Sequence, residues 1–262
     1  MTVQQALSSS GIDPREARLL LAAATGFSEA SVLAHPEREL PAEIQKTFLE
    51  MAARRSRGEP VAYILGRKEF YGLDLTVTPA VLIPRPETEL LVDLALARTP
   101  ASILDVGTGS GAIALALKRH LPAARVVATD ASAAALEVAK RNAVRFGLDI
   151  EFRHGRWFEP VAGERFEAII SNPPYVVVND PHLVGVQFEP RFAFEAGADG
   201  LDAIRVIARE APQHLLPGGW LLLEHGVGQH EAVRALLEAA GLETAASWPD
   251  LAGIPRVSGG KR

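Results

Sequence analysis

Ser-Asn-Pro-Pro-Tyr at residues 171–175 puts a primary amide, two ring-locked residues and an aromatic ring directly after the apolar run Phe-Glu-Ala-Ile-Ile. Proline fixes φ and carries no N–H. Asn172 can therefore offer its side-chain oxygen, and Pro173 its backbone carbonyl, as acceptors that cannot drift. Two acceptors on a rigid corner suit the two N–H groups of a planar NH2 and would turn its nitrogen outward. Tyr175 adds a ring face that stacks on flat groups and is compatible with nearby positive charge. The plainer alternative is a turn at a strand end, because double proline is common in loops.

A second stretch, Asp-Val-Gly-Thr-Gly-Ser-Gly, places Gly107, Gly109 and Gly111 where a strand turns into a helix. Glycine there lets the backbone approach a ligand closely and adopt positive φ. The spacing is G-x-G-x-G, without the extra residue of the dinucleotide fingerprint and without the Gly-Lys-Ser/Thr of a phosphate loop. An acid, Asp130, closes the next strand nineteen residues after Gly111. A carboxylate at that place can accept from both hydroxyls of a ribose. It can also cap the helix that follows. Loop and acid together fit an adenosine-bearing cofactor. The short glycine spacing favours S-adenosylmethionine over a nicotinamide dinucleotide, which needs a pyrophosphate seat.

These residues need a scaffold, and from about residue 101 the chain alternates strand-like and helix-like runs. Ser-Ile-Leu-Asp-Val, Arg-Val-Val-Ala-Thr-Asp, Phe-Glu-Ala-Ile-Ile-Ser and Gly-Gly-Trp-Leu-Leu-Leu-Glu-His read as strands, with a weaker one at Ile-Glu-Phe-Arg-His. Helices of 10–15 residues separate them, and two candidate strands follow near the C-terminus. Such alternation predicts a mostly parallel sheet with helices on both faces.

Residues 1 to about 60 read as helices. Asp13 is a cap with Pro14 at the first helical position and Glu16 three residues on, Leu19, Leu20 and Ala23 share a face, and Gly26 is a stop. Ile44, Phe48 and Met51 fall at helical spacing in a later helix ended by Gly58, and a shorter helix lies between. The aromatic and β-branched stretch containing Tyr63, Phe70, Tyr71 and Gly72 predicts a hairpin, followed by a rigid loop, Ile-Pro-Arg-Pro-Glu-Thr-Glu. Arg85 and Glu87 in that loop could cover a cofactor, shape a substrate slot, or simply form a solvated pair at a helix start.

Composition narrows the partners. The 262 residues carry a formal net charge of −5, so long-range attraction to nucleic acid is not expected. No cysteine is present, which removes disulfides, thiolate zinc sites and a cysteine nucleophile. His225 and His230 lack zinc-pair spacing on a helix, and no metal is expected. The N-terminal residues do not read as a signal peptide, and no run reaches membrane-spanning length. A cytoplasmic location is the expectation.

Taken together, Leu-Asp-Val-Gly-Thr-Gly-Ser-Gly, Ser-Asn-Pro-Pro-Tyr, Leu-Ile-Pro-Arg-Pro-Glu-Thr-Glu, Phe-Glu-Pro-Arg-Phe-Ala-Phe-Glu and Asp-Leu-Ala-Gly-Ile-Pro-Arg resemble the bacterial peptide-chain-release-factor glutamine N5-methyltransferases, the PrmC/HemK family. The resemblance runs from about residue 58 to 262. It implies an α/β architecture: a Rossmann-like seven-stranded class I methyltransferase domain (85–262) preceded by a small helical bundle for substrate recognition (1–62) and a β-hairpin linker (63–84). It implies that Gly107, Thr108, Gly109, Ser110, Gly111 and Asp130 bind S-adenosylmethionine, with Trp157 beside the adenine and Asn172 near the transferred methyl. It implies that Asn172, Pro173, Pro174 and Tyr175 hold the substrate amide, with Asn172, Pro173 and Tyr175 as the catalytic group. The implied partner is a class I release factor presenting the glutamine of a Gly-Gly-Gln loop.

One position departs from the pattern. Family members often carry an acid just before the Trp-Phe pair, where the adenine amino group is commonly bound, and here Arg156 stands there. Two rival readings remain at this level. An adenine-N6 methyltransferase would use the same corner on a flipped base, but would need a basic groove. A cofactor-binding module without catalysis would not need intact Asn172 and Tyr175.

Overall fold

The computed structural model describes residues 1–178 and 186–262, and they divide into two compact units, Met1–Arg67 and Lys68–Arg262. The first unit is helical: α1 (Val3–Ser9), α2 (Pro14–Thr25), α3 (Glu29–Ala34), α4 (Ala42–Ser56) and α5 (Val61–Leu65). Asp13 caps α2, its Oδ1 accepting from the Arg15 and Glu16 N–H groups at 2.8 and 3.4 Å, and Gly26 ends it in the left-handed conformation. Leu20 and Leu21 of α2 and Phe48 of α4 are fully buried in one apolar cluster. Leu19, expected on the inward face, is exposed; Ala17 takes that place, one helical turn before Leu20 and Leu21. Helix α1 buries Val3 and Ala6, with Leu7 beside them, in the same cluster. It starts on a capping box in which Thr2 and Gln5 satisfy each other's backbone N–H.

Tyr63, expected in the hairpin, lies in α5, whose left-handed cap is Gly66. The two-stranded sheet is shorter than the expected linker: β1 (Arg67–Phe70) and β2 (Leu73–Thr76) are joined by Tyr71 and Gly72. Both turn residues have positive φ, 49° and 74°, which matches the twist a two-residue hairpin requires. A left-handed tyrosine is costly, and the protein holds it: Glu89 Oε1 accepts the Tyr71 N–H at 2.9 Å, and Asp93 Oδ1 accepts its hydroxyl at 2.7 Å.

The remaining elements are α6 (Glu89–Leu96), β3 (Ser102–Val106), α7 (Ala112–His120), β4 (Arg125–Asp130), α8 (Ala133–Phe146), β5 (Glu151–His154), β6 (Phe166–Ser171), α9 (Asp202–His214), β7 (Leu215–Glu224), α10 (His230–Ala239), β8 (Glu243–Pro249) and β9 (Pro255–Lys261). Seven strands form one sheet in the order β5-β4-β3-β6-β7-β9-β8, parallel except that β9 runs antiparallel to both neighbours. Successive strand residues face opposite sides. Ile103, Val126, Ala168 and Leu222 pack with α6 and α7, whereas Leu104, Val127, Ile169 and Leu221 pack with α9 and α10.

Strand β3 sits centrally, and the chain winds outward from it in both directions. That topology leaves a crevice at the carboxyl ends of the parallel strands. Gly107 follows β3, Asp130 ends β4, Asn172 follows β6 and Glu224 ends β7, so four chemically distinct residues arrive at one edge.

Asn142 of α8 fastens that edge. Its Nδ2 donates to the Thr76 and Ser110 carbonyls at 3.0 and 2.9 Å, and its Oδ1 accepts the Thr76 N–H at 2.8 Å. The residue is fully buried. Asn142→Ala leaves three backbone groups without partners, so it should destabilise the fold by about 2–4 kcal/mol. Urea denaturation of the variant measures this; an unchanged midpoint would contradict the role.

Candidate active site

The glycine loop is built on a buried acid. Asp105 Oδ2 accepts the Thr108 hydroxyl at 2.6 Å and the Ala114 N–H at 3.3 Å. The Gly107 and Thr108 N–H groups both donate to the Thr129 carbonyl, at 2.8 and 3.0 Å, which ties the loop to β4. Gly107 and Gly109 have φ of 76° and 55°, and a Cβ added to either would meet no protein atom within 4 Å. They border open space. Gly111 is different: its Cβ would come within 3.0 Å of Leu115 and 3.2 Å of Ala139, so its smallness serves the packing of α7 on α8.

Asp130 is divided between two backbone groups. Its Oδ2 accepts the Gly109 N–H at 2.9 Å and its Oδ1 accepts the Ser132 N–H at 2.8 Å. The helix cap it could have supplied comes from Ser132, whose hydroxyl accepts the Ala135 N–H. Burial raises the Asp130 pKa, opposed by those two backbone donors. Each carboxylate oxygen keeps lone-pair capacity for another donor.

Gly107, Thr108, Gly109, Ser110, Asp130 and Trp157 line a cavity of about 750 Å³ that also reaches Asn172, Pro173 and Pro174. Gly111 is absent from that lining. Arg156 is in it, with its guanidinium 5.8 Å from the centre of the Trp157 ring. Trp157 holds positive φ, 51°, while its carbonyl accepts the Thr129 hydroxyl at 3.3 Å. The cavity falls within the size range of small-molecule sites, about 300–1,000 Å³.

A second cavity of about 90 Å³ opens beside the first. Arg85, Tyr175 and Phe194 wall it, and Asn172 and Pro173 belong to both cavities. Arg85 is no solvated partner of Glu87: its guanidinium meets the buried Glu189 at 2.5 Å, and Glu189 Oε2 also accepts the Ile83 N–H at 3.0 Å. The corner itself is anchored from three sides. Asn172 Nδ2 donates to Thr88 Oγ1 at 3.0 Å, the Tyr175 hydroxyl donates to Glu224 Oε1 at 3.0 Å, and Gln229 Nε2 donates to the Tyr175 carbonyl at 3.1 Å. Val176 is laced to Phe194 and Ala196 by backbone bonds of 2.7 and 2.8 Å. Gly200 is required here, because a Cβ would sit 2.3 Å from the Tyr175 carbonyl oxygen.

Thr88, Glu189, Glu224 and Gln229 were not visible as site residues in the sequence. Each carries a signal only in hindsight of the fold: Thr88 lies in the proline-rich loop, and Glu224 ends the most apolar strand.

Residues 2–66 match the family model described as PrmC N-terminal domain, and residues 86–187 match the one described as Methyltransferase small domain. A release factor glutamine methyltransferase of Xylella fastidiosa is 48% identical over 98% of this chain and 96% of its own. The corresponding protein of Pseudomonas aeruginosa is 49% identical over 94% of this chain and 91% of its own. This chain belongs to the release factor glutamine methyltransferases. Among solved structures, a methyltransferase from Pyrococcus furiosus aligns with a TM-score of 0.56 at 20% identity, covering 81% of this chain and 98% of that one. The 16S rRNA N2 G1207 methyltransferase of T. thermophilus, solved with AdoMet and guanosine, gives 0.56 at 21% identity, covering 75% of this chain and 49% of that one. They show the fold of the methyltransferase sheet; in this release factor glutamine methyltransferase family member it follows, in chain order, a helical N-terminal unit.

Two buried acids make the stability of this family member depend on pH. Burial pushes Asp105 and Glu224 up to about 7 from ordinary carboxylate values. Both hold their protons more tightly folded than unfolded. Their contribution is therefore full below the unfolded pKa, about 4, and is lost as pH rises through about 7. Burial lowers the pKa of His225, which works the other way over part of this range, so the test is a difference: Asp105→Asn should be more stable relative to wild type at pH 8 than at pH 5. Urea midpoints of both proteins at the two pH values measure it; a difference that does not change with pH would contradict the burial argument.

Proposed function

We propose that this protein transfers a methyl group from S-adenosylmethionine to the side-chain amide nitrogen of the glutamine in the Gly-Gly-Gln loop of class I release factors. The observation that carries the reading is the sharing of Asn172 and Pro173 between the large and the small cavity. A donor in one and an amide in the other would meet at that corner.

The residues of the large cavity fit an adenosine-bearing ligand. Asp130 retains acceptor capacity for ribose hydroxyls, the Gly107–Ser110 backbone lies against open space, and Trp157 supplies an apolar ring for the base. When bound, S-adenosylmethionine supplies an electrophilic sulfonium methyl. The chain's own residues do the rest. Asn172 is oriented by its Nδ2 bond to Thr88, which leaves Oδ1 as the acceptor end of the amide. Oδ1 and the Pro173 carbonyl accept the two substrate N–H groups. That draws the nitrogen lone pair out of conjugation with its own carbonyl and turns it toward the larger cavity. Tyr175, tied at its hydroxyl, stacks on the amide plane. Orientation and fixed dipoles supply the catalysis, and no titrating base is needed at the corner. A protonated methylamide is acidic enough to lose its proton to water.

The helical unit, placed at residues 1–62 by sequence, is assigned to recognition of the release factor body, and the protein to the cytoplasm where termination occurs. Among the described residues no helix is long and apolar enough to cross a membrane.

Methyl-labelled S-adenosylmethionine, incubated in parallel with a release factor and with duplex DNA, tests the reading. The expected label is on the glutamine of the protein, located by mass spectrometry. Label on DNA with none on the release factor would overturn it. Label on neither, with tight cofactor binding, would point to a non-catalytic module.

A further inference from the structure

Glu224 has no part in the amide clamp, yet among the described residues it is the carboxyl bonded to it. It ends β7 with 1% of its surface exposed. Its Oε1 accepts the Tyr175 hydroxyl at 3.0 Å, and its Oε2 has no hydrogen-bond partner. An ionisable group buried with one oxygen unpaired costs stability. Its surroundings concern the same motif. The Tyr175 end of the Asn-Pro-Pro-Tyr corner leads to this carboxyl by a direct bond, and the Asn172 end is held by Thr88.

Resting on the proposed amide transfer, we infer that Glu224 is a positioning residue that fixes the Tyr175 ring at the angle the reacting glutamine needs. The Tyr175 side chain turns about two torsions. Without a fixed hydroxyl, its ring can tilt away from an amide plane stacked on it. The hydroxyl oxygen lies on the ring's own rotation axis, so the Glu224 bond fixes the first torsion, and with it where the ring points from a backbone held by Gln229, while the in-plane phenolic O–H biases the second. Losing the hydroxyl anchor leaves the ring area for binding but not its angle. The effect therefore falls on kcat and spares KM.

Glu224→Met and Tyr175→Phe separate this role from a purely structural one. Methionine nearly keeps the volume and removes both the acceptor and the buried carboxyl, so at pH 8 the variant should be at least as stable as wild type. Its kcat on a release factor should nevertheless fall by about tenfold to a hundredfold, with KM and the dissociation constant for S-adenosylmethionine within about twofold of wild type. Glu224→Gln, whose amide oxygen still accepts the Tyr175 hydroxyl, should keep most of the activity. Tyr175→Phe should lose a factor similar to Glu224→Met. Because both act through one bond, the double variant should be no slower than the slower single one. Full activity in Glu224→Met, a loss proportional to unfolded protein, or multiplied losses in the double variant would each overturn the inference. If Glu224→Met fails to fold, Tyr175→Phe decides alone, since unchanged kcat without the hydroxyl is incompatible with the role. Wild-type transfer in the same assay separates the two claims. If wild type modifies no glutamine, the proposed function fails. If it does and neither variant is slowed, only the role of Glu224 fails.

Discussion

Asn172→Ala lowers methyl transfer to the release factor by about a thousandfold or more, while affinity for S-adenosylmethionine falls only a few-fold. The asymmetry follows from where the side chain sits. Asn172 borders both cavities, but the large one is walled by the glycine loop, Asp130 and Trp157 as well. Truncation removes one wall element for the cofactor. For the substrate it removes one of only two acceptors that can hold the amide N–H groups in line. Electrostatic groups aimed at a reacting atom act in a site shielded from water, where they are worth most. The variant should fold, because among the described residues the Asn172 side chain has one bond, that to Thr88, to lose. Single-turnover rates and calorimetric cofactor titration of the same preparation measure the two quantities. Retained transfer would remove the amide clamp; a cofactor affinity lost in step with the rate would reassign Asn172 to the cofactor alone.

Asp130→Ala has the opposite signature. Two charge-assisted hydrogen bonds to ribose hydroxyls are worth roughly 3–5 kcal/mol together. The change also frees the Gly109 and Ser132 N–H groups that the carboxylate now holds. The cofactor dissociation constant should rise by about a hundredfold to a thousandfold. At saturating cofactor the transfer rate should recover to within about tenfold of wild type, because the amide corner is untouched. Calorimetry gives the first number, and rates at rising cofactor concentration the second. An unchanged dissociation constant would show that Asp130 serves only the backbone.

Much of this was legible in the sequence because it is local. Strand β6 and the corner after it are one continuous run, as are β3 and the glycine loop, and helices of ordinary length punctuate them. Such features announce themselves through periodicity and turn chemistry within a dozen residues. The parts that stayed hidden join distant segments. Thr88 meets Asn172 across 84 positions, Glu224 meets Tyr175 across 49, and Asn142 reaches Thr76 across 66. No spacing rule connects them; only the folded sheet brings them to one edge. Helix α5 was hidden for another reason. In α5, Tyr63, Ile64 and Leu65 carry a strand-like composition, and the helix exists because Pro60 starts it, Gly66 closes it and Ile64 packs into the helical core. Three leucines in a row at 19–21 fit more than one helix face, and the cluster with Phe48 and Val32 selects Leu20 and Leu21 over Leu19.

The central claim is that the two cavities meet at one corner, where a glutamine amide faces a methyl donor. A crystal structure of the protein with S-adenosylhomocysteine and a peptide carrying Gly-Gly-Gln addresses it directly. The account predicts the thioether in the larger cavity, and the glutamine amide nitrogen in the smaller one about 3 Å from both Asn172 Oδ1 and the Pro173 carbonyl oxygen. A sulfur out of reach of that corner, or a glutamine amide bound elsewhere, would contradict it.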